Sequence, residues 1–502
     1  MSTGASGTAA TARRFRNPTA ASGSTNLNPT EAETFESQEL SAGPAGRSYA
    51  SRNAPSRARR RSSESPWQSS PGATLPRELR PLRAPRLTIR RPLNDFGLDD
   101  LAKHRYSEGL TSRQQRPGEP HGTIDGGLCK MNLPILVDLF CGCGGMSLGA
   151  TRAGFSLAAG VDIDSRALAA HTRNFPKSKH LNIDLTNAHG SKILSEAGLK
   201  PGQVDVAVGG PPCQGFSVIG KRNLVDDRNL LISHFLRIVR ELNPRAFVLE
   251  NVPGILDERF AASLGAALEQ VESKYNIYPA YSLVALDAGA PTLRRRVFIV
   301  GFRESENAPE DFWSGHLETK EAPVVRQALD GLPFDINPDW KKGRAGNRVV
   351  KISRKGHFFE SASGRIPNGV GDTKAVEAMA ENGTVSGCVG TMHSTELASR
   401  YAALGYGQMD SKTKSVKLDP NGYCPTLRAG TGPERGSFQA VRPIHYLRPR
   451  VITPREAARL QGFPDWFQFD KTKWHSFRQI GNSVSPLVAE YVMKKVLGVI
   501  NA

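Results

Sequence analysis

The alternation of apolar and polar positions separates a polar N-terminal stretch from a remainder that carries regular apolar runs. Beyond about residue 133, short continuous apolar runs alternate with amphipathic stretches, which is typical of parallel strands covered by helices on both faces. The pattern therefore predicts an α/β fold, a doubly wound Rossmann-like sheet. Strands are predicted at Ile135 to Phe140, Leu157 to Val161, Val204 to Val208 and Ala246 to Val252, and a core helix at Leu230 to Leu242.

Two of these strands end in residues suited to a nucleotide-like cofactor. The first leads into a glycine-dense turn and a helix, and Gly142, Gly144 and Gly145 permit positive φ values and close backbone approach. The second ends at Asp162, with Asp164 two residues later, an acidic end that suits a ribose. A dehydrogenase would show both features, so they do not decide the chemistry.

A cysteine and a carboxylate follow two further strands. Cys213 comes directly after Pro211 and Pro212, and Glu250 lies at the end of its own strand. Alone, the cysteine would be a structural thiol and the glutamate a solvated group. Because parallel strands present their carboxyl ends at one edge, we expect thiol and carboxyl to converge there. Hydride transfer has no use for this cysteine, which disfavours the dehydrogenase.

Eight motifs occur over roughly residues 133 to 302 and 441 to 495. They are DLFCGCGGMSLG at 138–149, the acidic pair near Asp162, Asp184-Leu185, PPCQGFS at 211–217, ENV at 250–252, LRRRVFIVG at 293–301, TPREAARLQGFPD at 453–465 and QIGNSV at 479–484. By these motifs and their order, the chain resembles the DNA (cytosine-5) methyltransferase family, of the bacterial restriction-modification type.

The resemblance implies a site-specific methyl transfer from S-adenosylmethionine to carbon 5 of cytosine. The Cys213 thiolate would add to carbon 6 and make carbon 5 nucleophilic. Glu250 would share a proton with ring nitrogen 3, which requires a raised carboxyl pKa. Arg296 would hold the base's carbonyl oxygen, and Arg294 would lie near the cysteine or a phosphate. This chain has Thr292 where the family usually has Gln.

The resemblance also implies which residues bind the cofactor. Asp162 is one methylene shorter than the glutamate usual at its position. Cys141 and Cys143 lack the two further ligands that a zinc site would need, so no metal is expected. The expected cofactor-binding residues are Phe140, Gly142, Gly144 and Gly145 around the methionine part, Asp162 and Ile163 at ribose and adenine, Asp184 and Leu185 at the adenine amino group, and Pro212, Leu231, Asn482 and Val484 around the pocket.

DNA contacts are expected from two regions. The stretch 214–229 is interpreted as a closing lid, since a cytosine must leave the base stack to be methylated, and an ordinary surface loop is the alternative. Residues 305–440 are predicted to form a second, smaller target recognition domain, and residues 441–502 to return to the catalytic domain 131–304. The DNA-binding residues implied are Ser217, Lys221, Arg222 and Arg228 in the lid and the Thr426-Leu427 pair in the recognition domain.

Charge supports a polyanionic partner and sets the first 130 residues apart. The 502-residue chain has 66 Lys and Arg, 48 Asp and Glu, and a net charge of +18. Residues 1–130 hold 20 basic and 12 acidic residues, so they carry +8 in a Ser/Pro/Arg-rich stretch predicted to be disordered. A DNA-tethering arm, a targeting peptide and a dispensable upstream extension remain alternatives; in the last case, a protein beginning at Met131 would be fully active.

The predicted partner is double-stranded DNA. The protein is expected to bind it as a monomer and to have no membrane span. Six cysteines fit a reducing compartment. The resemblance implies a bacterial cytoplasmic, nucleoid-associated protein, and a nuclear or organellar one only in a eukaryote. A transfer RNA cytosine methyltransferase stays an alternative, although its usual Cys-Phe-Thr is missing. So does a non-catalytic DNA-binding relative, which the catalytic residues disfavour. Whether a cognate restriction endonuclease acts separately is left open.

Overall fold

A mixed eight-stranded sheet forms the centre of the chain in a computed structural model. The structure describes residues 133–212, 230–314, 321–336, 348–349, 358, 362–363, 365–430 and 442–502, which all fall within one compact unit, Arg83–Ala502. The strands of the sheet are β1 (Ile135–Leu139), β2 (Ser156–Val161), β3 (Lys179–Leu181), β4 (Val206–Gly209), β5 (Ala246–Asn251), β6 (Tyr275–Ile277), β7 (Tyr281–Val284) and β8 (Arg295–Arg303).

The strand order creates a crevice at the carboxyl ends of β1 and β4. Strands β1 to β5 are parallel in the order β3-β2-β1-β4-β5, and β8 runs antiparallel beside β5. The outer edge of β8 pairs with both β6 and β7. The chain leaves β1 toward β2 on one side and returns to β4 on the other, which is the switch point where doubly wound sheets bind ligands.

Helices cover both faces of the sheet, as the apolar runs predicted. The predicted core helix is present with its predicted bounds. The last helix packs on the first: a Cβ added at Gly149 would lie 2.3 Å from the Cβ of Ala489. In the described ranges the helices are α1 (Gly145–Ala153), α2 (Ser165–Asn174), α3 (Gly190–Ala197), α4 (Leu230–Leu242), α5 (Glu258–Glu272), α6 (Val325–Ala328), α7 (Thr373–Asn382), α8 (Thr395–Ala403), α9 (Pro454–Leu460), α10 (Lys473–Asn482) and α11 (Pro486–Ile500), accompanied by the 3₁₀ turns Pro253–Leu256 and Ala285–Ala288.

Helix α9 begins with the capping box that its sequence indicates. The Glu456 amide donates to the Thr453 hydroxyl at 3.2 Å, and the Thr453 amide donates to the Glu456 carboxylate at 2.7 Å. The same carboxylate receives both terminal nitrogens of Arg450, at 2.8 and 2.9 Å. Because these groups are buried, they need hydrogen-bond partners within the protein, and they provide them for one another. These bonds fix the start of α9.

The described residues between 305 and 440 contain short elements. Two-residue strands β9 (Arg348–Val349) and β10 (Thr384–Val385) pair in antiparallel fashion, and α7 and α8 are the longer helices of this stretch. A recognition domain here remains a prediction. None of the helices in the described ranges is long and apolar enough to cross a membrane.

Candidate active site

The loop after β1 has the backbone conformation of a tight cradle. Phe140, Gly142 and Gly144 have φ values of 63°, 56° and 104°. A Cβ at Gly144 would meet the Phe175 ring at 2.3 Å, so this glycine provides space as well as a left-handed conformation. Gly145 opens α1 without a positive φ, and a Cβ there would lie 2.3 Å from the Val484 carbonyl oxygen. Gly145 is therefore needed for close packing, whereas the sequence alone allowed either close packing or a positive φ value.

Asp162, at the end of β2, ties this cradle to the next strand. Its carboxylate accepts the Gly142 amide and the Asp164 amide, both at 2.8 Å. Burial raises the pKa of Asp162, and the two amide hydrogen bonds oppose that rise. Each carboxylate oxygen keeps a further lone pair, so the group could still accept a hydroxyl.

The other predicted cofactor residues lie in several environments. Ile163 is 66% exposed, an unusual position for an isoleucine and one suited to covering a flat apolar ring. Asp184 is exposed and accepts the Thr186 amide and hydroxyl, which lower its pKa. The neighbouring Leu185 is buried, and Arg237 of α4 donates to its carbonyl oxygen. Pro212 and Asn482 are exposed, Leu231 is half-buried and Val484 is buried.

Glu250, near the end of β5, and Arg296, near the start of β8, form a largely buried ion pair. The Arg296 Nε lies 2.7 Å from the Glu250 carboxylate, and their side chains are 13% and 10% exposed. Glu250 is paired with Phe298 across β5 and β8, so Arg296, two residues earlier, projects from the same face. Burial raises the pKa of Glu250, while the positive charges of Arg296 and Arg294 oppose the rise.

The segment leading to the predicted nucleophile lies against this ion pair. A Cβ added at Gly210 would be 2.8 Å from the Glu250 carboxylate, and the Asn251 side-chain Nδ2 donates to the Pro211 carbonyl oxygen at 3.3 Å. The chain therefore passes Glu250 immediately before residue 213. Cys213 lies outside the described residues, as do the predicted lid residues Ser217, Lys221, Arg222 and Arg228.

Arg294 lies buried against main-chain carbonyls. It donates to the carbonyl oxygens of Leu427, at 3.0 Å, and Gly481, at 2.8 Å. The Thr426 hydroxyl donates to the Leu293 carbonyl at 3.3 Å. The predicted Thr-Leu pair thus contacts the chain just before β8, while the expected roles of these residues at cysteine, phosphate or DNA stay predictions.

A buried polar group beneath the glycine cradle escaped the sequence analysis. The Ser147 hydroxyl donates to the Asp138 carboxylate at 2.5 Å and lies 3.0 Å from the His171 ring. Burial raises the pKa of Asp138 to about 7, and the Asp162 charge adds to the rise, while the Ser147 bond opposes it. The sequence did contain a signal for this group, since Asp138 is an acidic residue in the middle of an apolar strand, and acidic side chains are rarely buried there without a partner.

The described part of the chain contains no group of three or more His, Cys, Asp or Glu side chains placed to hold a metal ion. Cys141 and Cys143 are both buried free thiols within the cradle. Burial raises the pKa of Cys143 to about 12, so its sulfur stays protonated, and its Sγ lies 3.0 Å from the Ser483 hydroxyl. Both sulfurs are packing groups of the glycine-rich loop after β1.

Comparison with known proteins identifies the family. The model of the C-5 cytosine-specific DNA methylases matches residues 135–498. The type II methyltransferase M.XorII of Xanthomonas oryzae pv. oryzae is 39% identical over 371 residues, covering 73% of this chain and 85% of that protein. M.SacI of Streptomyces achromogenes is 30% identical over 397 residues, covering 73% and 93%.

A solved structure agrees with these sequence relatives. It is a crystal structure of a protein described as a DNA modification methyltransferase encoded within an E. coli prophage. The TM-score is 0.66 at 44% sequence identity, and the match covers 74% of this chain and 100% of that chain. The fold of this chain is thus that of a solved relative.

Proposed function

Because the chain belongs to the C-5 cytosine-specific DNA methylase family, we propose that it is a DNA (cytosine-5-)-methyltransferase acting through a covalent Cys213 adduct. The substrate is a cytosine swung out of double-stranded DNA, and the methyl donor is S-adenosylmethionine. The observation that carries this proposal is the buried Glu250–Arg296 pair beside the segment that leads into Cys213.

The pair suits the charge that develops on the ring. When a thiolate adds to carbon 6 of cytosine, negative charge grows on ring nitrogen 3. A buried carboxyl with a raised pKa can hold or supply a proton there, and Glu250 has both properties. Arg296 keeps that carboxyl oriented and presents its remaining N–H groups to the base's carbonyl oxygen. Pro211 and Pro212 fix the approach of the cysteine.

The cradle fits a nucleoside-bearing donor. Gly142 and Gly144 keep side chains out of the loop, and the free lone pairs of Asp162 suit ribose hydroxyls. Exposed Ile163 can cover an adenine ring, and exposed Asp184 can accept its amino group. S-adenosylmethionine supplies an electrophilic methyl group on a sulfonium when bound. The chain's own part is to hold that group above carbon 5 and exclude water.

The biological setting follows from the relatives. Proteins named type II methyltransferases match this chain across most of their length, so we assign it to modification of short DNA sites within or beside a restriction system. A cytoplasmic bacterial location and a monomeric state belong to the same proposal. The net charge of +18 supports a DNA substrate.

Bisulfite sequencing tests the proposal directly. DNA from a methylation-free host that expresses the full chain should show protected cytosines in one short motif. The same DNA from cells expressing Cys213→Ala should show none, because carbon 5 then lacks activation. Absence of protection with the wild-type chain, despite soluble expression, would refute DNA methylation, and a parallel assay on transfer RNA would then test the RNA alternative.

A further inference from the structure

Arg294 lies where three segments of the chain meet, which we call the Arg294 junction: residues 291–294, residues 424–429 and Gly481. The guanidinium donates to the carbonyl oxygens of Leu427 and Gly481. One segment directly precedes β8, one belongs to the predicted recognition region, and one ends α10. Arg294 is only 2% exposed, so both hydrogen bonds are shielded from water.

Main-chain pairing reinforces the junction on both sides of Arg294. The Leu293 amide donates to the Cys424 carbonyl at 2.8 Å, and the Cys424 amide donates to the Pro291 carbonyl at 3.0 Å. The Thr426 hydroxyl adds a bond to the Leu293 carbonyl. Residues 424–427 therefore pair with the segment that directly precedes the strand bearing Arg296, through an isolated parallel bridge between Thr292 and Cys424.

Gly481 closes the junction from the third side. A Cβ at this position would lie 2.6 Å from the Ala429 amide nitrogen and 2.8 Å from the Arg428 carbonyl carbon. Because these atoms are backbone, they could not move aside as a flexible side chain could. The end of α10 consequently rests directly on the 424–429 segment.

We propose that Arg294 is a positioning residue that holds the 424–429 segment and the end of α10 against β8, and so keeps Arg296 aligned with Glu250. This inference rests on the proposed function, since it concerns the step that the ion pair assists. Arg294 precedes Arg296 by two residues, so a shift at the junction reaches the ion pair through one short piece of strand. Transition-state chemistry is sensitive to such shifts, and base recognition in residues 424–429 would share the same support.

The test compares Arg294→Met and Arg294→Lys with Arg455→Lys in the full chain. Arg455 is a matched control because it is equally buried and likewise donates to main-chain carbonyls, those of Ser386, Pro464 and Phe467. The substrate is a duplex carrying the motif found by bisulfite sequencing. Three quantities are measured: the single-turnover methylation rate at saturating DNA and cofactor, the salt dependence of DNA affinity, and the unfolding midpoint.

For Arg294→Met we expect a single-turnover rate lower by about 100-fold, the scale of a small misplacement of reacting groups. Arg294→Lys should keep part of the rate, since an ammonium can reach one of the two carbonyls. The slope of DNA affinity against salt should stay unchanged in both. Arg455→Lys should lower the unfolding midpoint to a similar extent while keeping the wild-type rate.

A second pair of variants tests the same proposal in case the Arg294→Met protein does not fold. Gly481→Ala pushes the junction apart without touching Arg294 and should reduce the single-turnover rate in the same direction. Gly498→Ala in α11 is its control, because a Cβ there meets nothing within 4 Å. The positions share the C-terminal region, so a general loss of stability would affect both.

Two outcomes would overturn the inference. A salt slope lower by about one unit in Arg294→Met would make Arg294 a phosphate contact instead. Wild-type rates in folded Arg294 and Gly481 variants would make the junction purely architectural. A wild-type protein that methylates no DNA would refute the proposed function itself, so the two failures are distinguishable.

Discussion

The edge of the sheet that we propose as catalytic has two halves formed by different chemical groups. The proposed cofactor half is formed by backbone: two glycines and a phenylalanine with positive φ, and amides that donate to Asp162. The proposed base half is formed by charged side chains, with Glu250 and Arg296 paired across neighbouring strands. A backbone site depends on shape and fails when space is lost, whereas a charged site depends on proton position and fails when charge is lost.

The base half should show the larger effect when one charge is removed. Glu250→Gln keeps the shape but cannot give or take the proton at ring nitrogen 3, so methylation should fall by about 100-fold to 10,000-fold. The measurement is the single-turnover rate with saturating cofactor. Cofactor affinity should change little, since Glu250 lies on the other half of the edge.

Glu306→Gln is the matched control for that variant. Glu306 also has a side chain 10% exposed and an arginine partner at 2.7 Å, Arg245, but it follows the far end of β8. Glu306→Gln should lose its own ion pair with Arg245 while keeping the methylation rate. Equal losses in the two variants would mean that Glu250 acts only through stability.

The proposed cofactor half should lose affinity for the cofactor when a side chain is added to one of its glycines. In Gly145→Ala the new methyl group meets the Val484 carbonyl at 2.3 Å, which belongs to backbone. Overpacking of this kind costs about 1–3 kcal/mol, so cofactor affinity should fall by about tenfold or more, as calorimetry would report. Gly265→Ala, where a Cβ has open space, is the control. Unchanged cofactor binding in Gly145→Ala would contradict a shape-dependent cradle.

The smallest expected effect concerns the proton on Asp138. Its carboxyl has an ordinary pKa of 3.8, raised to about 7 by burial, so the folded state binds the proton more tightly than the unfolded state does. Stability from this proton is present at low pH and is lost as pH rises toward 7.

Asp138→Asn removes that dependence. The wild type loses stability between about pH 6 and about pH 8 because Asp138 gives up its proton there, whereas the variant has no such proton. The unfolding free energy of the variant minus that of the wild type should therefore be about 1 kcal/mol larger at about pH 8 than at about pH 6. Urea unfolding at the two pH values measures it. A difference between the proteins that stays constant with pH would show that Asp138 does not titrate in this range.

Sequence alone gave bounds for four of the eight strands of the sheet, and it predicted the side-chain partners poorly. The apolar runs that became β1, β2, β4 and β5 were evident because strands buried on both faces need them, with ends displaced by one or two residues. The capping box at Thr453 was evident because its bonds are local. Both features arise between residues that are close in the sequence, so a sequence pattern can reveal them.

Long-range contacts carried no comparable signal. Nothing near Arg294 in the sequence indicates that its donors meet carbonyls at positions 427 and 481. The His171 side chain meets Ser147 only because α2 folds back under the cradle. Phe140 adopts a φ of 63°, which a residue other than glycine rarely does and no pattern indicates. These features depend on tertiary packing and required the structure.

The most direct test of the central claim is covalent capture on DNA that carries 5-fluorocytosine in the methylated motif. After thiol addition and methyl transfer, fluorine at carbon 5 cannot leave as a proton does, so the adduct should persist. We predict a protein–DNA species of the summed mass that forms with S-adenosylmethionine, maps to Cys213 and is missing in Cys213→Ala. Turnover of ordinary cytosine without any such adduct, or an adduct that survives in Cys213→Ala, would contradict the account.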